Sequence, residues 1–343
     1  MAARQRIIPV RREYNRWVAN QTLEDYALRF TAKSARRFSS SRISQTAIGA
    51  ISFLALEAIG GAITLSYGTT NAIYAILVAA LVMLVVGLPI SRYAIRHGVD
   101  IDLLTRGASF GYIGSTITSL IYASFTFILF AIEASIMSSA LELAFGIPLW
   151  MGYIISAVVV IPLVTHGVQM ISRFQLITQP VWIVLNILPF IFIAFLDWDK
   201  FELWRGFAGL GVPAAEAGGM APFELAKFGA ASAVILALMT QIGEQVDFLR
   251  FLPAEGASKW RHKVAIFLAG AGWVVVGAPK LLAGSSLAYL ALSSGISPEH
   301  AAEPGHMYAV AFGYMIPNEF LALMLMAVFV VISQLKISVM NAY

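Results

Sequence analysis

The chain has 343 residues, of which 59% are hydrophobic and only 12% charged, with a mean hydropathy of +0.78. Soluble domains carry about 25% charged residues, so composition excludes a water-soluble enzyme or binding module. Cysteine is absent, which excludes a disulfide framework and thiol chemistry.

Residues 1–45 are basic and polar, with no early apolar core, so no secretory signal peptide is expected and the first span must itself direct insertion. Within this arm, LEDYALRFTAKSARRF reads either as an amphipathic helix on anionic lipid or as a solvated basic segment that sets topology. Eight apolar runs follow, at 46–67, 71–91, 110–145, 148–166, 175–196, 228–248, 264–292 and 319–341. Each approaches or exceeds the roughly 20 residues that cross a bilayer. The third and seventh are long and are expected to tilt or to extend beyond the lipid. Residues 198–226, with the stretch GLGVPAAEAGGMAP, form the longest external connection and have room for a short surface helix.

Span 1 carries SFLALEAIGGAITLSYG, which puts Glu57 and the pair Gly60-Gly61 at mid-membrane. Each glycine weakens a helix by roughly 1 kcal/mol relative to alanine. The pair therefore predicts either a non-helical break that offers backbone groups to a ligand, or close packing of helices through small residues. Glu57 is expected to face a cavity or to serve as a hydrogen-bonded structural carboxylate.

Span 6 ends in QIGEQVDFLRF, Gln241 to Phe251. Asp247 and Arg250 fit an ordinary helix end among headgroups. Gln241 and Glu244 lie about a turn deeper and share a face. A carboxylate at that depth is expensive unless it meets protein or water, which makes it a functional-site candidate. Five spans separate the interruptions in spans 1 and 6, as an inverted five-plus-five repeat requires, and the Gly60-Gly61 break is expected to face Gln241 and Glu244.

Lysine and arginine set the orientation. Ten lie in the arm: Arg4, Arg6, Arg11, Arg12, Arg16, Arg29, Lys33, Arg36, Arg37 and Arg42. Arg92, Arg96, Arg106, Arg173, Arg250, Lys259, Arg261 and Lys263 follow on the same side, against Lys200, Arg205 and Lys227 on the other. This positive-inside bias predicts a multi-pass protein of the cell (inner) membrane with a cytoplasmic N-terminus. It also accounts for the basic balance without a nucleic-acid partner.

RGASFGYIG (106–114) and the span after it resemble the nucleobase:cation symporter-1 family, the purine–cytosine permeases and hydantoin transporters. Gly114, Ile117, Leu120, Ala123, Phe130 and Ile132 fall in register with its third helix. DFLRF (247–251) is similar to the family's D-F-S-R-Y, and Asn341-Ala342-Tyr343 to the N-x-Y of its eighth helix. The resemblance runs from about residue 45 to the end. It implies an all-α polytopic membrane protein of the LeuT type, with ten core helices in two inverted repeats. The permease-like domain would cover 46–343, with a first repeat at about 46–196 and a second from about 228. Eight spans out of ten to twelve are present, so the chain is expected to be a fragment.

The resemblance also implies a substrate held between spans 1, 3, 6 and 8, by Glu57, Gly60, Gly61, Leu129, Glu133, Leu238, Gln241 and Glu244. Leu129 and Leu238 stand where the family carries tryptophan plates, and Glu133 and Glu244 where it carries glutamine and asparagine. The pocket is therefore more acidic and less aromatic, suiting a cationic or amine-bearing solute or a site that no longer transports. Tyr122, Phe125, Phe127 and Phe130 could supply a substitute ring, or pack and face lipid. Glu133 would serve as a proton-coupling site or counter-charge, with Glu244 opposite, or else as a partner for Lys280.

A sodium site of this fold would use span 1 carbonyls and eighth-helix hydroxyls, for which Ser333 and Ser338 are candidates. Lys336 either stands in for the ion or snorkels to the headgroups. His166 reads as a loop residue. No cofactor is expected beyond a coupling sodium ion or proton. The expected function is secondary transport of a small nitrogenous solute, nucleobase-like or related. The alternative is a permease-like input domain joined to a cytoplasmic histidine kinase module. No metal cluster, nucleophile motif or phosphate loop points to an enzyme.

Overall fold

The structure, a computed structural model, describes residues 31, 36, 38–213, 219–253 and 260–342. Among them, fourteen α-helices carry the fold: α1 Ser40–Gly49, α2 Ala55–Tyr67, α3 Thr69–His97, α4 Ile101–Thr105, α5 Gly111–Phe145, α6 Leu149–Thr165, α7 Gly167–Leu196, α8 Asp199–Arg205, α9 Leu225–Leu236, α10 Ile242–Leu249, α11 Trp260–Ala269, α12 Trp273–Ser293, α13 Pro304–Met315 and α14 Glu319–Asn341. Short polar side chains start several of them. Ser39, Asp100 and Asn318 each accept a hydrogen bond from a first-turn amide, of Arg42, Leu103 and Leu321 respectively. Gly98 and Gly146 close α3 and α5 in left-handed geometry.

Among the described residues six helices are long and apolar enough to cross a membrane, or seven when α1 and α2 are counted as one bent span. The eight expected runs all fall on helices, but the fourth, α6, has 17 residues and spans only about 26 Å at 1.5 Å per residue. The first run begins earlier than expected, since α1 starts at Ser40. The seventh is not one helix: it is interrupted at 270–272, between α11 and α12. The expected surface helix in the 198–226 connection is α8. The amphipathic stretch of the arm lies outside the described residues except for Thr31, Arg36 and Phe38. There the Thr31 amide donates to the Gly98 carbonyl (3.0 Å), and the Arg36 guanidinium to the carbonyls of Ile95 and Leu252.

Burial separates the helices. The apolar stretch of α12 is 61% buried and that of α14 is 50% buried, against 22% for α5 and α7. α12 packs chiefly on α2, and α14 on α5. The outward faces of α3, α5 and α7 stay apolar, with Leu81, Val85, Ile113, Leu120, Phe127, Ile177 and Phe195 exposed. In a bilayer such faces meet lipid, and close packing rather than burial from water holds the helices together.

That packing explains Gly60-Gly61. The expected non-helical break is not there: α2 runs unbroken through both glycines. A Cβ on Gly60 would land on the Leu281 carbonyl of α12, and one on Gly284 would land on the Glu57 backbone. These glycines let α2 and α12 approach backbone to backbone. The break in span 1 falls earlier, at 50–54, where α1 gives way to a 3₁₀ turn and α2 leaves at a bend of 44°. Span 6 changes winding near the expected place, with a 3₁₀ turn at Ala237–Gln241 between α9 and α10.

Candidate functional site

Among the described residues, three buried polar centres hold charged side chains of spans 1, 3, 6 and 8. The first sits on the span 1 break. The Lys280 ammonium, from α12, donates to the carbonyls of Ile51 (2.7 Å) and Phe53 (3.2 Å) and pairs with Oε1 of Glu57 (3.1 Å). The Phe53 carbonyl also accepts from the Leu56 amide (3.3 Å), and the lysine supplies a further donor to both carbonyls at the break. Tyr308 donates its hydroxyl to the same Glu57 oxygen (3.1 Å), Asn186 donates to Tyr308 (3.2 Å), and the Trp182 ring lies 5.3 Å from the ammonium. Glu57 is fully buried and pairs with Lys280 through Oε1, while its Oε2 has no hydrogen-bond partner among the described residues.

The second centre joins α5, α10 and α14. Glu133 is fully buried and accepts from Ser338 (3.1 Å) and Asn341 (2.9 Å). Ser338 and Asn341 are three residues apart on α14, so both side chains reach one carboxylate. Glu133 is not a partner for Lys280, which Glu57 occupies. Glu244 lies within electrostatic range of Glu133. It is buried, and neither of its oxygens has a hydrogen-bond partner among the described residues; Gln241 lies beside it outside good geometry. Amide atoms of Gln241, Gln245, Gln334 and Asn341 are likewise buried without a hydrogen-bond partner among the described residues. Leu129 and Leu238 are buried in the surrounding core.

The third centre belongs to Lys336, whose ammonium is held by α7: by the side-chain oxygens of Gln175 (2.6 Å), Gln179 (2.9 Å) and Thr178 (3.2 Å). Lys336 is fully buried, so it does not snorkel. Three oxygen acceptors facing it across the helix interface outweigh the reach to the headgroups. Ser333, Ser338 and Lys336 do not converge on one ion. Ser333 accepts from Trp182 Nε1 (3.0 Å), Ser338 turns to Glu133, and Lys336 turns to α7. The span 1 carbonyls are filled by Lys280. The residues expected to hold sodium therefore do not form an oxygen cage for it.

A cleft of about 250 Å³ opens beside the second centre, lined in part by Ile101, Thr118, Tyr122, Thr240 and Gly243. The Tyr122 hydroxyl lies within electrostatic range of Asp247, Glu244 and Asp102. Phe127 points outward and supplies no ring to the centre. At the end of α10, Asp247 accepts from the Ile101 amide (3.4 Å) and Arg250 pairs with Asp100 (3.2 Å). Sequence reasoning missed Tyr308, Asn186, Trp182, Gln175 and Gln179. Their one signal is a polar atom within an apolar run, most visibly Gln175 and Gln179 at helical spacing.

Bent and rewound spans around buried charge define a polytopic helical membrane protein. Comparison with protein families and with curated proteins finds no match. Among solved structures, the chain is similar to Mhp1, described as a nucleobase-cation-symport-1 family transporter, in a closed conformation with bromovinylhydantoin bound. The TM-score is 0.63 at 16% identity, over 91% of this chain and 65% of that one. The chain thus spans somewhat under two thirds of that transporter's length. At this identity the likeness establishes the fold, the LeuT type, and bears out the resemblance drawn from the RGASF, DFLRF and NAY stretches.

Proposed function

We propose that the chain is the core of a secondary transporter for a small nitrogenous solute, nucleobase-like or related and carrying a protonated nitrogen. Glu133 and Glu244 would be its acids, with Gln241 completing the site between spans 3, 6 and 8. One observation carries this reading: two buried carboxyls lie within electrostatic range, and one of them has neither oxygen hydrogen-bonded among the described residues. Like charges in an apolar interior are costly, and a cation or a proton between them relieves that cost. Leu129 and Leu238 offer apolar walls but no aromatic plates, which favours charge over ring stacking as the selecting contact. Uptake would be coupled to protons rather than sodium, because Lys280 fills the span 1 carbonyls. Gly60 and Gly61 would shape the site through α2–α12 packing rather than by touching the solute. The orientation proposed is N-terminus inside, in the cell membrane.

A thermal-shift screen of the full chain in detergent tests this reading. Protonated amines of nucleobase size are expected to stabilise it, and neutral hydantoins and nucleobases to do so less. Stabilisation by neutral heterocycles alone would overturn the charge argument. A second reading, the sensor input domain, draws on the tethered cation at the span 1 break, where the Lys280 ammonium stands in place of an exchangeable metal cation. Binding of a solute without uptake in proteoliposomes would favour it.

A further inference from the structure

Outside these centres, the turn between α12 and α13 and the first turn of α13 gather the side chains of His300, Glu303 and His306. It lies at the α8 end of the bundle, where Lys200 reaches Ser293 and Tyr314 reaches Asp197. His300 Nδ1 lies 2.9 Å from Glu303 Oε1, and His306 Nδ1 lies 3.2 Å from Glu303 Oε2. The two imidazoles stack with centroids 5.1 Å apart. We propose that these three residues form a binding site for one divalent transition-metal ion of the zinc class.

The donor set is two imidazole nitrogens and a carboxylate, which with one water completes the tetrahedral arrangement zinc takes. Ligand atoms about 2.1 Å from a tetrahedral ion lie about 3.4 Å from one another. All three ligand atoms here already lie within 4.8 Å, and both histidine–glutamate distances are near that value. Only the gap between the imidazoles has to close.

The backbone holds the set in place. The amides of His300 and Ala301 donate to the Ser297 carbonyl, and the Glu303 amide to the His300 carbonyl. Pro304 then starts α13, and the buried Met307 and Tyr308 anchor its first turns. His306 thus projects from a fixed helix three residues after Glu303. All three side chains are solvent-accessible, so an ion can reach them.

Titration calorimetry of the full chain with zinc chloride is the test, with the His300→Ala/His306→Ala and Glu303→Gln variants alongside. Wild type is expected to bind one zinc ion per chain. The double variant should lose that binding and Glu303→Gln weaken it about tenfold or more, with metal-free melting temperatures unchanged. Calcium and magnesium should not compete. Absence of zinc binding by wild type, equal binding by the double variant, or displacement by calcium would each overturn the proposal.

Discussion

Lys280 sets its ammonium 3.1 Å from the Glu57 carboxylate, with both side chains buried and the carbonyls of Ile51 and Phe53 completing the cation's shell. One lysine therefore neutralises an acid of α2 and also caps the break between α1 and α2. A charge with two such duties belongs to the architecture of the bundle. Removing one partner leaves the other charge buried and unpaired, at a cost of about 3–5 kcal/mol. Glu57→Gln and Lys280→Met are each expected to lower the melting temperature sharply. The double variant should recover part of the loss, because no uncompensated charge remains. A double variant at least as unstable as the two singles combined would show that the pair is not coupled.

The glycine contacts make a second comparison. Gly60→Ala drives a methyl into the Leu281 carbonyl, a backbone atom that cannot move aside, and should cost about 1–3 kcal/mol. Gly313→Ala and Gly229→Ala meet nothing within 4 Å. Both lie inside helices and should be neutral or stabilising by up to about 1 kcal/mol. Thermal melts of the three variants in one detergent rank them. A Gly60→Ala protein as stable as the Gly313→Ala protein would contradict the α2–α12 packing.

The helical runs, the polar interruption of span 6 and the overall fold were legible in sequence, because apolar run length marks a membrane helix; the count of eight spans was not, since α6 has only 17 residues. Nor was the placement of the span 1 break. Glycine pairs signal both unwinding and close packing, and only the Leu281 carbonyl against Gly60 decides between them. Lys336 was misjudged for a related reason: its acceptors, Gln175, Thr178 and Gln179, lie about 160 positions away in the chain. Glu133 was legible as a buried acid, while its partners were visible only as a serine and an asparagine near a chain end. The His300–Glu303–His306 spacing stood in the sequence, but three residues of mixed type across a turn and a helix start carry no signal until the turn brings them together.

Lys336 supplies a third prediction. Lys336→Met removes the donor shared by the buried Gln175 oxygen, the half-buried Gln179 oxygen and a threonine hydroxyl. Each acceptor left unpaired costs about 1–3 kcal/mol, so the loss should reach about 2–5 kcal/mol. A lysine reaching the headgroups would lose about 0.5 kcal/mol or less, as at other surface sites. Equilibrium unfolding of the variant separates the two, and a loss under about 1 kcal/mol would return Lys336 to the surface.

Orientation is tested by accessibility. Single cysteines at Leu210 and Trp260, both exposed, lie on opposite ends of the bundle in a chain without native cysteine. An impermeant maleimide on intact cells is expected to label Leu210→Cys and spare Trp260→Cys, following the positive-inside bias. The reverse pattern would invert the proposed topology.

Glu133→Gln asks whether the second centre binds. The substitution keeps size and shape. Asn341 can still donate to the new amide oxygen, and the Ser338 hydroxyl can bond either amide atom, so the helix contacts between α5 and α14 survive. What disappears is the charge and the capacity to take up a proton. If Glu133 and Glu244 together hold a protonated nitrogen, the variant should bind such a solute about tenfold or more weakly, since a charge-assisted hydrogen bond contributes roughly twice a neutral one. Its binding should also lose most of its pH dependence, because one of two coupled titrating groups is gone. Melting temperature without ligand should stay within a few degrees of wild type, which separates a binding defect from a folding defect. Isothermal titration across pH 5 to 9, with the amine that gives the largest thermal shift, supplies both numbers. Unchanged affinity and an unchanged pH profile in Glu133→Gln would remove Glu133 from the site and leave its carboxylate as a strut between α5 and α14.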